Sequence, residues 1–197
     1  MINRRKALVV PAAMIVAGLG WSRSVAATSN VIDDLSQPHP RASHGAAWEM
    51  IADRVMGGVS SGTMRREVVR DREAIHLQGD VSLKNNGGFL QIALDLAPDG
   101  SPVDASNWAG IEIDVIGNDE TYNLHLRTAD VARPWQSYRQ SFIARPEWRT
   151  VRLPFAGFEA HRIDAPLDRS TIRRIGIVAI GRAFHADIAI SGVRFYA

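Results

Sequence analysis

The chain has 197 residues, of which 46% are hydrophobic and 22% are charged, and its formal net charge is +2. This length suits one domain with a hydrophobic core of its own. The chain has no cysteine, which excludes disulfide bonds, thiolate metal sites and thiol catalysis.

Residues 1–27 have the three parts of an export signal. Basic residues fill positions 4–6, an apolar run follows over residues 7–21, and small residues at 24–27 offer a cleavage site. The apolar run is shorter than the roughly 20 residues that a membrane-spanning helix needs. We therefore expect a signal peptide over 1–27, and its paired arginines resemble those of a twin-arginine leader. Export to the periplasm or cell envelope follows, with no transmembrane span after cleavage. The alternative is an uncleaved anchor that holds the domain at the outer face of the membrane.

The leader carries part of the positive charge. Residues 1–27 hold four basic residues and no acidic one, so 19 basic and 21 acidic residues remain from Thr28 onward. This balance, without a basic cluster, argues against a nucleic-acid partner.

Behind the leader, residues 28–44 contain Pro38 and Pro40 among polar neighbours and predict a flexible lead-in. From residue 45 onward apolar and polar side chains alternate, most clearly over 111–116 and 122–127, which is typical of half-buried strands. Further strands are predicted at residues 47–52, 74–83, 88–96, 138–144, 148–153, 175–180 and 187–196. Turns are predicted at residues 85–88, 98–100 and 117–119.

Helix signals are almost absent from this pattern. Only residues 167–174 predict a short helical turn. Many short strands joined by turns are typical of two antiparallel sheets packed face to face. We therefore predict an all-β fold, an antiparallel jelly-roll sandwich, over residues 45–197.

Residues 53–62 read DRVMGGVSSG and include the pattern G-x-S-x-G. That pattern is the nucleophile elbow of α/β-hydrolases, which needs a strand before the serine and a helix after it. Strand-like alternation follows here instead, so we do not predict Ser60 to be a nucleophile, and we predict no catalytic residue. A phosphate-binding loop would continue with Gly-Lys and a helix, which are also missing.

The same stretch has the composition of a structural turn. Gly57 and Gly58 permit positive φ, and Asp53 can accept backbone hydrogen bonds or bonds from Arg54. Met56 is expected to be buried in the core beside the turn.

The stretch resembles the opening motif of the complex I intermediate-associated protein 30 family. The matching positions are Trp48, Asp53, Arg54, Met56, Gly57, Gly58, Ser60 and Gly62. The resemblance continues through residues 87–89, 110–122, 138–142 and 148–155 to a closing strand that ends near Phe195, and so covers about residues 45–197.

This resemblance implies a galactose-binding-like jelly roll with a non-enzymatic role. The mitochondrial relatives are assembly factors for the respiratory NADH:ubiquinone oxidoreductase, so the implied partner is another protein or a membrane complex. The resemblance implies no cofactor.

Alternation suggests a ligand face independently of the resemblance. If the apolar side chains of the predicted strands point inward, their neighbours point outward, and Trp135 could add an aromatic ring. The candidate ligand-face residues are Glu112, Asp114, Asn123, His125, Arg127, Trp135 and Arg152. A saccharide or small polar ligand is one interpretation, and an ordinary solvated face with cross-strand ion pairs is the other. Trp48, Trp108 and Trp148 lie at strand starts and are predicted to pack.

No metal site is predicted. The six histidines lack a short metal-ligand spacing, and the aspartates near turns lack a calcium-loop spacing. The sequence therefore predicts a non-catalytic binding or assembly module without cofactor. The alternative is an exported carbohydrate- or small-polar-ligand-binding module of the cell envelope.

Overall fold

The computed structural model describes residues 29–197. The predicted signal peptide over 1–27 lies outside the described residues. The strands are β1 (Val31–Asp33), β2 (Glu49–Ala52), β3 (Ser61–Val69), β4 (Arg72–Val81), β5 (Phe89–Asp95), β6 (Gly110–Gly117), β7 (Glu120–Thr128), β8 (Ser137–Ala144), β9 (Arg149–Pro154), β10 (Glu159–His161), β11 (Ile172–Ile180) and β12 (Phe184–Tyr196). Short 3₁₀ helices span Asp53–Met56, Lys84–Asn86, Phe155–Gly157 and Arg169–Thr171.

The strands form two antiparallel sheets that pack face to face. The first sheet has the order β3-β4-β12-β6-β9, with β1 also paired to β12, and the second has the order β10-β8-β7-β11-β5-β2. This confirms the predicted antiparallel sandwich, and the strands predicted from alternation all occur. The predicted helical turn is shorter than expected, because β11 already begins at Ile172.

The core lies between the two sheets and consists of the inward-facing half of each strand. Ile111 and Ile113 of β6 and Leu124 and Leu126 of β7 are fully buried, as the alternation predicts. Burial of such apolar surface is the main stabilising term, at about 25 cal/mol per Å². The hydroxyl of the buried Tyr122 donates to Asn118 Oδ1 at 2.7 Å.

The three tryptophans at strand starts pack, as predicted. Trp48 is buried in the main core, and Trp108 stacks on Phe195 with the ring centroids 6.2 Å apart. Trp148 packs against a small apolar cluster on the outer side of the first sheet, next to Arg72.

The lead-in was predicted wrongly, because residues 31–33 form a strand on β12. Ile32 is buried, and the buried Asp33 accepts a hydrogen bond of 2.7 Å from Trp48 Nε1. The prolines that suggested flexibility come after this strand, so they do not interrupt its pairing.

No helix within residues 29–197 combines the length and the hydropathy needed to cross a membrane.

Candidate functional site

The motif DRVMGGVSSG folds around one buried carboxylate. Asp53 begins the 3₁₀ helix after β2 and is fully buried. Its Oδ1 accepts from the Ser60 backbone N–H at 2.9 Å, and its Oδ2 accepts from the Ser60 hydroxyl at 2.5 Å. The same Oδ2 accepts from the backbone N–H groups of Gly88 and Phe89 at 2.6 and 3.3 Å. One side chain therefore joins the motif to the start of β5.

These hydrogen bonds also set the charge of the carboxyl. Burial by itself raises the pKa of Asp53, but the bonds from Ser60, Gly88 and Phe89 outweigh it, and the net pKa lies below its ordinary value. The carboxylate is thus ionised at neutral pH. It accepts backbone hydrogen bonds, as the sequence predicts, and within residues 29–197 the remaining donor is the Ser60 hydroxyl rather than Arg54.

The two adjacent glycines of the motif, Gly57 and Gly58, serve different purposes. Gly57 has φ +88°, the left-handed conformation predicted for the turn. Gly58 is not among the positive-φ residues; a Cβ at this position would lie 2.3 Å from Asp53 Cγ. A Cβ at Gly87 would likewise lie 2.5 Å from Asp53 Oδ2. Gly58 and Gly87 therefore leave space for the Asp53 carboxylate, and neither has a positive φ.

Ser60 is fully buried and takes part in this structural network. Its hydroxyl donates to Asp53 and accepts from the Ser82 backbone N–H at 2.9 Å. The side chain thereby connects the motif to the end of β4.

The prediction that Met56 is a core residue is wrong. Its side chain is 60% exposed, and that of Val55 is 75% exposed. The interior position beside the turn is occupied by the Asp53 network, so the 3₁₀ helix presents both apolar side chains on the surface. There they line one end of a cleft.

The cleft has a volume of about 900 Å³ and lies on the outer face of the second sheet. Outward-facing side chains of β5, β11, β7 and β8 form its floor. The 3₁₀ helix with Val55 and Met56 forms the wall next to β2. The opposite wall is the connection between β7 and β8, where Trp135 is 51% exposed. This is the size of cavity in which proteins bind small molecules or side chains.

Hydrogen bonds hold the second wall in place. Gln136 Oε1 accepts from the Arg133 backbone N–H at 2.9 Å, and Gln136 Nε2 donates to the Arg162 carbonyl at 3.0 Å. The loop that carries Trp135 is therefore tied both to itself and to the segment after β10.

The cleft is lined by more positive than negative side chains. It contains the guanidinium groups of Arg127, Arg139, Arg173 and Arg174 and the carboxylates of Glu49 and Asp95. Arg174 donates to Glu49 at 2.6 Å and to Asp95 at 3.1 Å, so both carboxylates are paired with this one guanidinium.

Arg127 and Arg139 form no ion pair with any residue of 29–197. Burial lowers the pKa of both guanidinium groups, and neighbouring arginines lower it further. A guanidinium remains charged at neutral pH even so. These two cations therefore have hydrogen-bonding capacity left for a ligand.

His125 lies on the same floor, opposite Arg139 and two residues before Arg127, and is neutral. Its side chain is 8% exposed, and its Nε2 forms no hydrogen bond within residues 29–197. Burial, followed by the charges of Arg139 and His161, lowers the pKa of His125 to about 3.

The predicted ligand face divides into two groups, because the residues lie on different sheets. Asn123, His125 and Arg127 belong to β7 of the second sheet, and of these His125 and Arg127 line the cleft together with Trp135. Glu112, Asp114 and Arg152 belong to β6 and β9 of the first sheet, on the opposite side of the molecule. The turn at 117–119 carries the chain from one sheet to the other, which alternation within each strand does not reveal.

The group on the first sheet forms its own ion-pair network. Arg194 donates to Glu112 at 2.5 Å and to Asp114 at 2.6 Å, and Arg152 donates to Glu112 at 2.9 Å. These carboxylates are satisfied within the sheet. This part of the prediction therefore matches its alternative, a face with cross-strand ion pairs.

The sequence prediction missed Arg139, Arg174, Gln91 and Val55 as cleft residues. Alternation could have placed Arg139 on the outer face, because it lies between the inward-facing Tyr138 and residue 140 of the predicted strand. The position of β5 next to β11, and of β2 next to β5, could not be predicted from the chain order.

No group of three or more histidine or acidic side chains within residues 29–197 is arranged to hold a metal ion. The ring of His76 instead contacts two carboxylates, with Nδ1 2.7 Å from Glu67 Oε1 and Nε2 2.6 Å from Asp187 Oδ1.

Comparison with known proteins gives one family and several structures of the same fold. Residues 35–189 match the family model described as complex I intermediate-associated protein 30 (CIA30). A comparison with curated proteins gives no match.

Several solved structures share the fold. The family 11 carbohydrate-binding module of the cellulosomal cellulase Lic26A-Cel5E of Clostridium thermocellum is 13% identical, with a TM-score of 0.67 and coverage of 86% of this chain and 94% of the module. A family 11 module from the same organism in complex with a β-1,3-1,4-mixed-linked tetrasaccharide is 14% identical, with a TM-score of 0.64 and coverage of 86% and 95%. The family 30 carbohydrate-binding module of the cellulosomal cellulase Cel9D-Cel44B of Clostridium thermocellum is 14% identical, with a TM-score of 0.51 and coverage of 71% and 91%. At these identities the likeness concerns the fold, a galactose-binding-like jelly-roll sandwich.

Proposed function

Because the chain belongs to the complex I intermediate-associated protein 30 family, we propose that it is a non-catalytic binding module that assists assembly of a membrane complex, respiratory or other. The observation that carries the proposal is the cleft, since one of its walls is built by the family motif around Asp53. The motif fixes the 3₁₀ helix, and the helix presents Val55 and Met56 to a partner.

The rim of the cleft has the properties of a protein-binding surface. Val55, Met56 and Trp135 are large apolar side chains that are more than half exposed. Apolar side chains grouped at the edge of a concave surface are typical of interaction sites. Tryptophan in particular often dominates the energy of an interface.

Met56→Ala and Trp135→Ala should each weaken partner binding about tenfold. They should change the free energy of unfolding by no more than about 0.5 kcal/mol, because both side chains are exposed. The test is capture of solubilised membrane complexes by the tagged protein, with identification of the subunits by mass spectrometry.

Val68→Ala is the matched control, because Val68 is equally exposed but lies on β3 of the first sheet. It should capture the same subunits as the unchanged protein. Equal capture by all variants would remove the cleft from the interface, and capture of no membrane complex by the unchanged protein would contradict the proposed function.

The second candidate function is binding of a saccharide. It is supported by the fold shared with carbohydrate-binding modules and by the ring of Trp135 in the cleft. A saccharide module should be displaced from its target by free oligosaccharide, whereas an assembly module should not.

We also propose that the domain acts outside the cytoplasm, on the basis of the export signal in residues 1–27. A reporter fused to the full chain should be exported, and replacing Arg4 and Arg5 with lysine should retain it as precursor. Cytoplasmic accumulation of the unprocessed, unchanged chain would contradict export.

A further inference from the structure

Three polar side chains occupy neighbouring positions on the cleft floor. Arg139 of β8 lies directly opposite His125 of β7, and residues paired in this way project from the same face of the sheet. Arg127 follows His125 by two residues and so projects from that face as well, roughly 7 Å along the strand. All three side chains line the cleft.

Most of the hydrogen-bond donors of this group are available. Each guanidinium has five N–H groups. Within residues 29–197, Arg139 uses Nε to donate to Ser137 Oγ at 2.9 Å, and Arg127 donates once, to the Arg133 carbonyl at 3.3 Å. Neither has an acidic partner, unlike the neighbouring Arg174.

His125 adds a neutral polar group to the two cations. A buried polar atom is normally paired within the protein, but Nε2 of His125 has no partner within residues 29–197. The imidazole is more than nine-tenths buried on the floor of the cleft. In the tautomer with the proton on Nε2, this uncharged ring offers a hydrogen bond to an anion without adding a third charge.

We propose that this group, Arg127, His125 and Arg139, binds the carboxylate of an aspartate or glutamate in an extended segment of a partner protein. The inference rests on the proposed function and names the chemistry of the partner. A carboxylate accepts paired hydrogen bonds from guanidinium, which gives both affinity and orientation. The whole chain from Thr28 carries slightly more acidic than basic residues, so the positive cleft is a local feature that selects an acidic segment.

The walls of the cleft favour a peptide over an acidic saccharide. Val55 has a branched side chain and Met56 a flexible one. Both pack well against the apolar side chains of a peptide, which have no flat face. The flat face of a sugar ring packs best on an aromatic ring, and Trp135 is the one aromatic side chain on the walls that is more than half exposed. In a segment in which acidic and apolar residues alternate, the acidic side chains would contact the floor and the apolar side chains would contact the walls.

The test uses two peptides, acetylated at the N-terminus and amidated at the C-terminus, that alternate leucine with either glutamate or glutamine, and measures their binding to the protein by calorimetry. The glutamate peptide should bind at least about tenfold more tightly than the glutamine peptide. Arg127→Gln and Arg139→Gln should each weaken the glutamate peptide about tenfold and leave the glutamine peptide unchanged. Raising KCl from about 50 to about 300 mM should weaken only the glutamate peptide.

Arg149→Gln is the matched control, since Arg149 lies on β9 of the first sheet and pairs with an exposed Glu147. It should bind both peptides as the unchanged protein does, and unfolding midpoints should show that all variants are folded. Equal affinity for the two peptides, or no affinity for either, would overturn the inference. Binding of an oligogalacturonate that depends on Arg127 and Arg139, without peptide binding, would also overturn it.

The inference and the proposed function can fail separately. If the unchanged protein captures a membrane complex and the two arginine variants capture it equally well, the carboxylate site is wrong while the assembly role stands. If no membrane complex is captured, the assembly role itself fails.

Discussion

Replacing Asp53 with alanine should lower the free energy of unfolding by about 3 to 5 kcal/mol, because several buried donors lose their acceptor at about 1 to 3 kcal/mol each. The donors are the Ser60 hydroxyl and the backbone N–H groups of Ser60, Gly88 and Phe89. All of them converge on a side chain with no exposed surface. Urea unfolding at neutral pH measures the change.

Two further substitutions separate the charge of Asp53 from the space it fills. Asp53→Asn keeps the shape but replaces one acceptor oxygen by a donor, so it should cost about 2 kcal/mol. Gly58→Ala keeps every polar group but places a Cβ 2.3 Å from Asp53 Cγ, which should cost about 1 to 3 kcal/mol by overpacking.

Asp80→Ala is the control, because the Asp80 side chain is 81% exposed. It should change stability by no more than about 0.5 kcal/mol. If Asp53→Asn unfolds at the same urea concentration as the unchanged protein but loses its partner, Asp53 contacts the partner directly, and its assignment as the buried centre of the motif is wrong.

The role of the family motif in the cleft could be predicted only in part. The glycine pair and the acidic residue indicate a turn, and the structure has that turn at Asp53 and Gly57. The direction of Met56 depends on what fills the interior beside it. That space is filled by the Asp53 side chain, whose partners lie up to 36 residues away in the sequence. The hydrophobicity of Met56 therefore does not indicate whether its side chain is buried.

The sandwich itself could be predicted because each strand has one buried face. Alternation over 111–116 and 122–127 assigns inward and outward side chains correctly. It cannot assign a strand to a sheet, because β6 and β7 follow one another in the chain yet pair with different neighbours. The predicted ligand face combined residues of both strands for this reason. The cleft could not be predicted, because its floor depends on the strand order β8-β7-β11-β5.

His125 on the floor of the cleft should make the protein less stable as the pH is lowered. In the unfolded chain His125 has a pKa near 6.5, and in the fold its pKa is about 3, because burial opposes the charged ring and Arg139 and His161 repel it. Between these values the unfolded state binds a proton that the folded state does not bind. The free energy of unfolding therefore falls as the pH is lowered.

Lowering the pH from 7 to 5 should accordingly cost the unchanged protein about 2 kcal/mol more than it costs His125→Gln, at about 1.4 kcal/mol for each unit below the unfolded pKa. The two proteins are compared because burial also lowers the pKa of His44 and His161. These two histidines reduce the stability at low pH in the unchanged protein and in the His125→Gln variant alike. Urea unfolding at a series of pH values gives the two curves. Parallel curves would mean that His125 takes up a proton as readily in the folded chain as in the unfolded chain. The imidazole beside Arg139 would then be charged when the protein is folded at pH 5, and the neutral hydrogen-bonding group assigned to the carboxylate site would not exist at that pH.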